Sequence, residues 1–270
     1  MCLILFAHRV NPQFPLILAA NRDEFHARPT AEAHFWPSES GDRLLAGKDL
    51  EAGGTWLGIS DSGRFAAVTN IRNPAQPAGK PRSRGELPTG FLNSGASSSL
   101  SAEDYCQQVL TQADDYAGFN LLVGDGDQLC YLNNRDKQVQ VLEPGIYGLS
   151  NSVLNSDWPK VNRGKQRLHE LLAAEGFSND ELLALVADRS LAADDQLPET
   201  GVPKAMEKTL SAMFILNEEL NYGTRCSSAL IMGRSGDFRF SERNFDNTGT
   251  LTSHHHFDNT VSKNKETLVA

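Results

Sequence analysis

Short apolar runs joined by tight turns recur at both ends of this chain. The first two runs, CLILFAHRV and LILAANRD, are joined by a turn-rich segment, NPQFP, at residues 11–15. Two later segments, TWLGISDSGRFAAVTN and CSSALIMGRSGDFRFSERNF, turn on DSG and RSGD. Apolar runs bounded by Gly, Pro, Asn and Asp are typical of β-hairpins. Hairpins pair antiparallel strands, so the sequence predicts antiparallel sheets rather than βαβ crossovers.

Several of the predicted strands are apolar on both faces. LILAA and SALIM show almost no alternation between apolar and polar positions. In the middle of the chain, FNLLVGD, QLCYLNN, VQVLEP and IYGLSN are further strand candidates. A strand that is buried on both faces needs a covering layer on each side. We therefore predict an α+β fold in which antiparallel sheets stack face to face and are covered by helices.

Helix signals cluster in two blocks in the middle of the chain. Ser101–Asp104 resembles a capping box, which predicts a helix that ends near Gln112. Apolar residues at helical spacing predict a second helix from Trp158 to Glu175. A second capping-box pattern, Ser178–Glu181, opens a third predicted helix, ELLALVADR.

No linker and no internal repeat divides the chain. We expect one domain over residues 1–246 and a polar C-terminal tail over residues 247–270. The tail contains His254-His255-His256, a run that could bind a metal ion. Because the surrounding residues are polar, we interpret this run as part of a solvated, poorly ordered segment.

The charge balance and the apolar runs exclude several classes of protein. The 25 basic and 34 acidic side chains give a formal net charge of −9. An acidic surface repels phosphate backbones, so nucleic acid is not expected as a partner. No apolar run is long enough to span a bilayer. The first residues lack the basic region and the cleavage site of a signal peptide.

The cysteines and the glycine-rich turns show no metal or nucleotide motif. Cys2, Cys106, Cys130 and Cys226 are far apart and form no CxxC pair, which argues against a zinc site and a disulfide scaffold. GDGDQ, at residues 124–128, lacks the third glycine and the following helix of a nucleotide loop. We therefore expect no metal, no cofactor and a reducing compartment, most simply the cytoplasm.

Cys2 is the first candidate for chemistry. When the initiator Met1 is removed, the α-amine of Cys2, with a pKa of about 8, lies on the same residue as its thiol. One residue then supplies both a nucleophile and a base. The alternative is a cysteine that stands at position two by chance.

Asn21-Arg22-Asp23-Glu24 is the second candidate, because four polar residues end an apolar strand. Alternate side chains of a strand share a face, so Asn21 and Asp23 face one side and Arg22 and Glu24 the other. If this strand pairs with the Cys2 strand, one of the two pairs flanks the nucleophile. A carboxylate there orients the amine or the thiol, and an arginine lowers the thiol pKa. The alternative is a charged strand end that is simply solvated.

Eight segments in consistent order carry a family resemblance. They are MCLILF, LILAANRDEFHARP, GGTWLGIS, AAVTN, RGEL, GFNLL, YGLSN and YGTR, between Met1 and about Glu242. Together they closely resemble the NRDE family, also called the transport and Golgi organization protein 2 family. The chain also resembles cysteine N-terminal nucleophile hydrolases of the penicillin V acylase and bile salt hydrolase type. That resemblance implies a four-layer αββα sandwich and a nucleophile at Cys2.

The hydrolase resemblance also implies roles for the polar strand end. Those hydrolases end their second strand in G-R-N-x-D, which matches Asn21 and Asp23 here but places Ala20 where the arginine stands. Asp23 is then expected to orient the amine, with Asn21 beside it. Arg22 lies on the face opposite to Asn21 and Asp23. The expected arginine role therefore does not carry over, which leaves the chemistry or the substrate open to change.

Further residues follow from the same resemblance. Asn70, which ends AAVTN, and Asn151, which ends YGLSN, correspond to donors of the oxyanion hole. Arg225, in YGTRCSS, resembles a distal arginine that faces the nucleophile. Arg22 and Trp56 are expected to contact the ligand, although a packing role for Trp56 is an equal alternative.

Three functions remain open from the sequence. The first is a cysteine hydrolase that cleaves a linear, non-peptide amide and takes a small-molecule amide or acyl ligand. The second is a non-catalytic binding or transfer protein for acyl-CoA, a lipid or haem, with Arg22 and Arg225 as anion contacts and Trp56 as a wall. The third is an interaction protein without a small-molecule site, which leaves the matching residues unexplained.

Overall fold

The computed structural model describes residues 2–39, 41–75, 79–95, 100–174 and 176–259. The described residues form two seven-stranded sheets. The strands are β1 (Cys2–His8), β2 (Leu16–Phe25), β3 (Thr30–Pro37), β4 (Arg43–Asp49), β5 (Leu57–Ser60), β6 (Phe65–Asn70), β7 (Phe119–Gly124), β8 (Leu129–Asn133), β9 (Gln138–Val141), β10 (Gly145–Leu149), β11 (Leu216–Asn217), β12 (Tyr222–Met232), β13 (Phe238–Phe245) and β14 (Leu251–Asn259).

All strand pairs are antiparallel, as the hairpin patterns predict. The first sheet has the order β10-β1-β2-β12-β13-β14, with β11 beside β12. The second sheet follows chain order from β3 to β9. Strands β1 and β2 therefore both lie inside the first sheet, with β10 beside β1 and β12 beside β2.

Helices α1 (Glu86–Asn93), α2 (Ala102–Thr111), α3 (Pro159–Ala173) and α4 (Asn179–Val186) cover the outer faces of the sheets. A further short helix, α5 (Lys204–Thr209), precedes β11. One apolar core lies between the two sheets and includes Ile4 and Phe6. The alternate residues Leu3 and Leu5 belong to a core under α3 and α4. A third core lies between the second sheet and α1 and α2. The four-layer αββα sandwich is thus confirmed.

The predicted helices form, and their caps explain where they begin. Ser101 accepts a hydrogen bond from the Asp104 N–H at the start of α2. Ser178 and Glu181 form a reciprocal capping box at the start of α4. No sequence pattern predicts α1, because ELPTGFLN contains Pro88 and Gly90. Proline is compatible with a first helical turn, where its missing N–H has no intrahelical partner.

The expectation that the segment after Asn247 is poorly ordered is wrong for Leu251–Asn259. This segment is strand β14, which pairs along β13. An exposed sheet edge presents unpaired backbone groups that a polar segment can satisfy equally well. Two of the histidines are anchored as well, since His255 Nε2 lies 2.6 Å from Glu32 Oε2 and His256 Nδ1 lies 2.9 Å from Ser241 Oγ. Residues 260–270 lie outside the described residues.

Among the helices that the structure describes, none has both the length and the apolar character that a bilayer crossing requires.

His8, at the end of β1, makes the stability of the fold depend on pH. Burial lowers the pKa of His8 from 6.5 to about 4, and the charge of Arg9 adds to this effect. Between these two values the unfolded chain binds more protons than the folded chain. The contribution of neutral His8 to the free energy of unfolding is therefore complete above pH 6.5 and decreases as the pH falls toward 4.

We expect His8→Gln to reduce the decrease in the free energy of unfolding between pH 7 and pH 4, measured by urea unfolding. His169, which is exposed, is the matched control, and His169→Gln should show the same decrease as the wild type. A decrease in His8→Gln as large as in the wild type would contradict this assignment.

Candidate active site around Cys2

Cys2 faces the space between the two sheets. Strand β1 pairs with β2 so that Cys2 lies directly opposite Arg22. Even-numbered residues of β1 point into the core between the sheets, as Ile4 and Phe6 do. Cys2 itself is half-buried and lines a cavity of ≈ 150 Å³. The strand geometry therefore places the thiol at an opening of the inter-sheet layer.

The cavity is built by the start of β1, by the end of β2 with the loop after it, and by four segments on the side of the second sheet. Its lining residues are mainly polar: Cys2, Arg22, Asp23, Glu24, Arg28, Asp49, Thr55, Trp56, Val68, Thr69, Asn70, Ser83, Arg84 and Gly85. The loop before α1 approaches very closely here. A Cβ on Gly54 would lie 2.4 Å from the Gly85 carbonyl, so that position requires glycine. This contact brings Ser83 and Arg84 to the cavity.

Arg22 and Trp56 form one wall of the cavity. The Arg22 guanidinium stacks over the Trp56 ring at 4.2 Å from its centroid. Its Nη1 donates to Thr30 Oγ1 at 3.3 Å. The Trp56 ring in turn packs against Gly47, where a Cβ would lie 2.3 Å from the ring. Because of the packing and the stacking, both side chains are held in fixed positions beside Cys2.

Arg84 is the residue of this site that the sequence analysis missed. It lines the cavity, and its Nη1 donates to the Gly118 carbonyl at 3.3 Å. Burial lowers the pKa of Arg84, while the negative charge of the Cys2 thiolate favours the charged guanidinium. The signal was present in the segment RGEL, which contributed to the family resemblance without a role being assigned to its arginine.

The three arginines of the cavity differ in their partners. Arg28 forms an ion pair with Asp49 at 2.8 Å. Within the described part of the chain, neither Arg22 nor Arg84 lies within 4.0 Å of a carboxylate oxygen. Two guanidiniums beside the thiol are thus available to stabilise a thiolate or an anionic group of a ligand.

Competing effects act on the Cys2 thiol. Burial raises its pKa, and the neighbouring Asp23 carboxylate raises it further. The positive charge of Arg22 and a hydrogen bond from the Asp23 N–H lower it. Burial is the largest of these effects, so the pKa stays above the ordinary thiol value of 9.0. A base beside the thiol is therefore needed for it to react near neutral pH.

Asp23 lies on the opposite face of β2 from Arg22, as the strand alternation predicts. Its Oδ1 accepts a hydrogen bond from Thr224 Oγ1 at 2.7 Å. The Tyr222 hydroxyl donates to its backbone carbonyl at 3.3 Å. Burial raises the pKa of Asp23, whereas the positive charge of Lys160 lowers it. Asp23 is also among the residues that line the Cys2 cavity, so it lies near the start of β1.

Asn21 lies on the same face as Asp23 but holds other parts of the fold. Its Nδ2 donates to the carbonyls of Val186 and Met213, both at 2.9 Å. Its Oδ1 accepts from Ser227 Oγ at 2.6 Å. These contacts fix the end of α4 and a later loop against β2. Asn21 does not line the ≈ 150 Å³ cavity, but it borders, together with Cys2, a small pocket of ≈ 10 Å³.

Asn70 and Asn151 meet, and only the first lines the cavity. Asn151 Nδ2 donates to the Asn70 carbonyl at 3.0 Å and to Asn70 Oδ1 at 3.1 Å. Asn151 is fully buried, whereas Asn70 lies at the cavity surface. Since Asn70 Oδ1 is occupied by Asn151, the Asn70 side chain presents its Nδ2 hydrogens as donors.

Arg225 does not line the Cys2 cavity, contrary to its expected position facing the nucleophile. A β-bulge between Thr224 and Cys226 takes Arg225 out of the regular ladder. Its Nη1 then donates to the carbonyls of Phe25, His26 and Arg28, at 3.2, 3.2 and 2.9 Å. Arg225 borders a separate cavity of ≈ 100 Å³ on the far side of Arg22. A β-bulge changes the direction in which a side chain points, and the apolar periodicity of the sequence does not predict where a bulge occurs.

Across the described ranges, no group of three or more His, Cys, Asp or Glu side chains is arranged to hold a metal ion.

Solved structures with a similar fold include two hydrolases. Penicillin V acylase from Agrobacterium tumefaciens aligns over 95% of this chain and 86% of its own, with a TM-score of 0.47 and 13% identity. The C2A mutant of conjugated bile acid hydrolase from Clostridium perfringens aligns over 96% of this chain and 92% of its own, with a TM-score of 0.48 and 12% identity.

Proteins related in sequence share a higher identity with this chain. The human Transport and Golgi organization protein 2 homolog is 36% identical over 262 residues, which cover 90% of this chain and 92% of the relative. The Drosophila melanogaster Transport and Golgi organization protein 2 is 31% identical over 265 residues, which cover 90% and 91%. The model of the family Transport and Golgi organisation 2 matches residues 1–247. With a match of this extent and relatives of this similarity, the chain belongs to the Transport and Golgi organisation 2 family.

Proposed function

We propose that this protein is a cysteine hydrolase that cleaves a linear, non-peptide amide through a thioester on Cys2. The observation that carries the proposal is the position of the half-buried Cys2 thiol in a polar cavity with Arg22, Arg84 and Asn70. A thiol, a cation beside it and an amide donor are the elements of nucleophilic acyl transfer.

The proposed reaction starts from the chain without Met1, which lies outside the described residues. The α-amine of Cys2 takes the thiol proton while the sulfur forms a bond to the substrate carbonyl carbon. The amine then returns this proton to the substrate nitrogen as the C–N bond breaks, which leaves a thioester and a free amine product. Water attacks the thioester, releases the carboxylic acid and returns the proton to sulfur.

The neighbouring side chains are assigned to the charges that develop along this path. Asn70 Nδ2 donates to the oxyanion, and Asn151 fixes its orientation; one such donor contributes roughly 3 kcal/mol. Arg22 and Arg84 stabilise the thiolate, a role the sequence had given to Arg225. Asp23 holds the amine, and Arg22 with Trp56 contacts the substrate.

The size and polarity of the cavity favour this function over the binding of a large apolar ligand. Sites for drug-sized ligands occupy about 300–1,000 Å³ and are mainly apolar. The Cys2 cavity measures ≈ 150 Å³, and polar side chains dominate its lining. A small polar amide suits this cavity better than haem, a lipid or the whole of acyl-CoA.

We also assign the protein to the cytoplasm. All four cysteines are free thiols in the structure. Free thiols persist in a reducing compartment, which the glutathione and thioredoxin systems maintain in the cytosol.

A trapped thioester tests the proposed function. The purified chain is incubated with a panel of small N-acyl amides at pH 7–8, and its intact mass is recorded after rapid acid quench. We expect an added acyl mass that peptide mapping places on Cys2, and a starting mass that lacks Met1. Titration with haem and with acyl-CoA is run in parallel. A stoichiometric complex with either ligand, together with no acyl mass from any amide, would overturn the hydrolase assignment in favour of a binding protein.

A further inference from the structure

A buried lysine lies behind the candidate site on the face opposite to the thiol. Lys160 is the second residue of α3, and only 1% of its surface is exposed. Its Nζ has no hydrogen-bond partner within the described part of the chain. Buried lysines are rare, because the cost of removing an ammonium from water must be offset by a counter-charge or hydrogen bonds.

The position of Lys160 in the first turn of α3 further raises the free-energy cost of burying its ammonium. The N-terminal turn of a helix carries a partial positive charge, which favours anions and disfavours cations. Lys160 therefore combines burial, an unfavourable helix dipole and an ammonium without a hydrogen bond. Packing alone would be served at lower cost by methionine, a side chain of similar length without a charge.

The charged groups around Lys160 come from several elements. They are Asp23 of β2, Cys2 of β1, Arg72 after β6 and Glu207 of α5. The Glu207 carboxylate is engaged elsewhere, since it accepts from Arg72 Nη1 at 2.5 Å and from the Thr200 N–H at 2.9 Å. Asp23 is consequently the principal counter-charge of Lys160, and the two lower each other's electrostatic cost of burial.

We propose that Lys160 is a positioning residue for the Cys2 site, whose buried ammonium behind Asp23 sets the pH at which Cys2 reacts. This role of Lys160 rests on the proposed function of Cys2. The position of Lys160 does not depend on which substrate binds. A positive charge held near a group lowers that group's affinity for protons. Lys160 thereby keeps Asp23 ionised and makes both the thiol and the α-amine of Cys2 easier to deprotonate.

The protonation of Lys160 itself agrees with this role. Burial lowers its pKa from 10.5 to about 8, and the negative charges of Asp23 and Cys2 limit that decrease. Lys160 is thus cationic at neutral pH and loses its charge in mildly alkaline solution. Its influence on Cys2 is present in the range where a cysteine hydrolase would work.

The test measures the reactivity of the thiol and needs no substrate. The rate of Cys2 carbamidomethylation by iodoacetamide is followed by intact mass from pH 5 to pH 10, with peptide mapping to confirm the site. In Lys160→Met we expect the rate between pH 6 and pH 7.5 to fall about 10-fold, and the two profiles to converge above pH 9, where Lys160 has lost its charge. Lys165→Met, on the same helix and half-exposed, is the matched control and should keep the wild-type rates. Equal rates for Lys160→Met and the wild type below pH 7.5 would overturn the proposal.

Lysine side-chain NMR gives a second measurement that does not depend on the reactivity of the thiol. The Asp23 carboxylate favours the charged form of Lys160, so its removal lowers the pH at which Lys160 loses its proton. We expect one lysine of the wild-type chain to titrate near pH 8 and to titrate at lower pH in Asp23→Asn. No response of any lysine would overturn the inference. A chain that shows the response but hydrolyses no amide would refute the hydrolase function and leave the Lys160–Asp23 coupling intact.

Discussion

Cys2→Ala should lower the turnover of any amide substrate by about 10⁴-fold or more, with little effect on substrate affinity. Removing the nucleophile of an acyl-transfer enzyme eliminates the covalent path and leaves only the contributions of binding and oxyanion stabilisation. The measurement is kcat and KM on the amide that gives a trapped thioester, with calorimetric binding of the same amide to the variant. Cys2→Ser should be impaired almost as strongly, because a hydroxyl is far harder to ionise than a thiol.

The chain offers a matched control for this substitution. Cys130 is a buried cysteine of the second sheet, packed in the core beneath α2 rather than at the cavity. Cys130→Ala removes a thiol of the same size and should retain wild-type kcat in the folded protein. Full turnover in Cys2→Ala would eliminate the thioester mechanism, whatever the control shows.

Glu207→Gln should lower the free energy of unfolding by about 3–5 kcal/mol, measured by urea denaturation at pH 7. Glu207 and Arg72 form a buried ion pair at 2.5 Å, with only 4% and 6% of their side chains exposed. Loss of one partner leaves a guanidinium in the interior without its carboxylate, which is the costly outcome for a buried pair. A decrease in the free energy of unfolding of less than about 1 kcal/mol would contradict the expected contribution of this ion pair.

Two further variants separate the ion pair from the packing around it. Arg72→Met combined with Glu207→Gln should be more stable than Glu207→Gln alone, because no unpaired charge then stays buried. The pair between Arg43 and Asp61 is the surface control, since 59% of the Arg43 side chain is exposed. Asp61→Asn should leave the free energy of unfolding almost unchanged, as is usual for ion pairs in solvent.

Local patterns predicted much of the fold correctly. The β1–β2 hairpin needs only a turn of a few residues, so its strands and their faces follow from short-range sequence. The helices α2 and α4 begin at their caps for the same reason. Strand β3 was missed because TAEAHFWP is partly exposed along most of its length and lacks a continuous apolar run. Strand β14 was missed because a polar edge strand is stabilised by its neighbour's backbone and not by its own side chains.

Part of the candidate site was equally local. Cys2 and Arg22 lie opposite each other because the hairpin register fixes them, and the alternation of β2 sends Asp23 to the other face. The roles given to Asn151 and Arg225 needed more than local pattern. Asn151 reaches the cavity only through Asn70, and a single bulge turns Arg225 toward the β2–β3 loop.

The sequence by itself determined the β1–β2 hairpin, the apolar faces of its strands and the juxtaposition of Cys2 with the polar end of β2, since these depend on a short turn and on strand alternation. Only the tertiary structure decided that Arg84 borders the thiol and that Lys160 lies behind Asp23. Those neighbours come from loops and a helix more than 60 residues away along the chain. Their approach is set by how the layers pack, for example by the Gly54–Gly85 contact, and side-chain periodicity carries no information about which distant loops will meet.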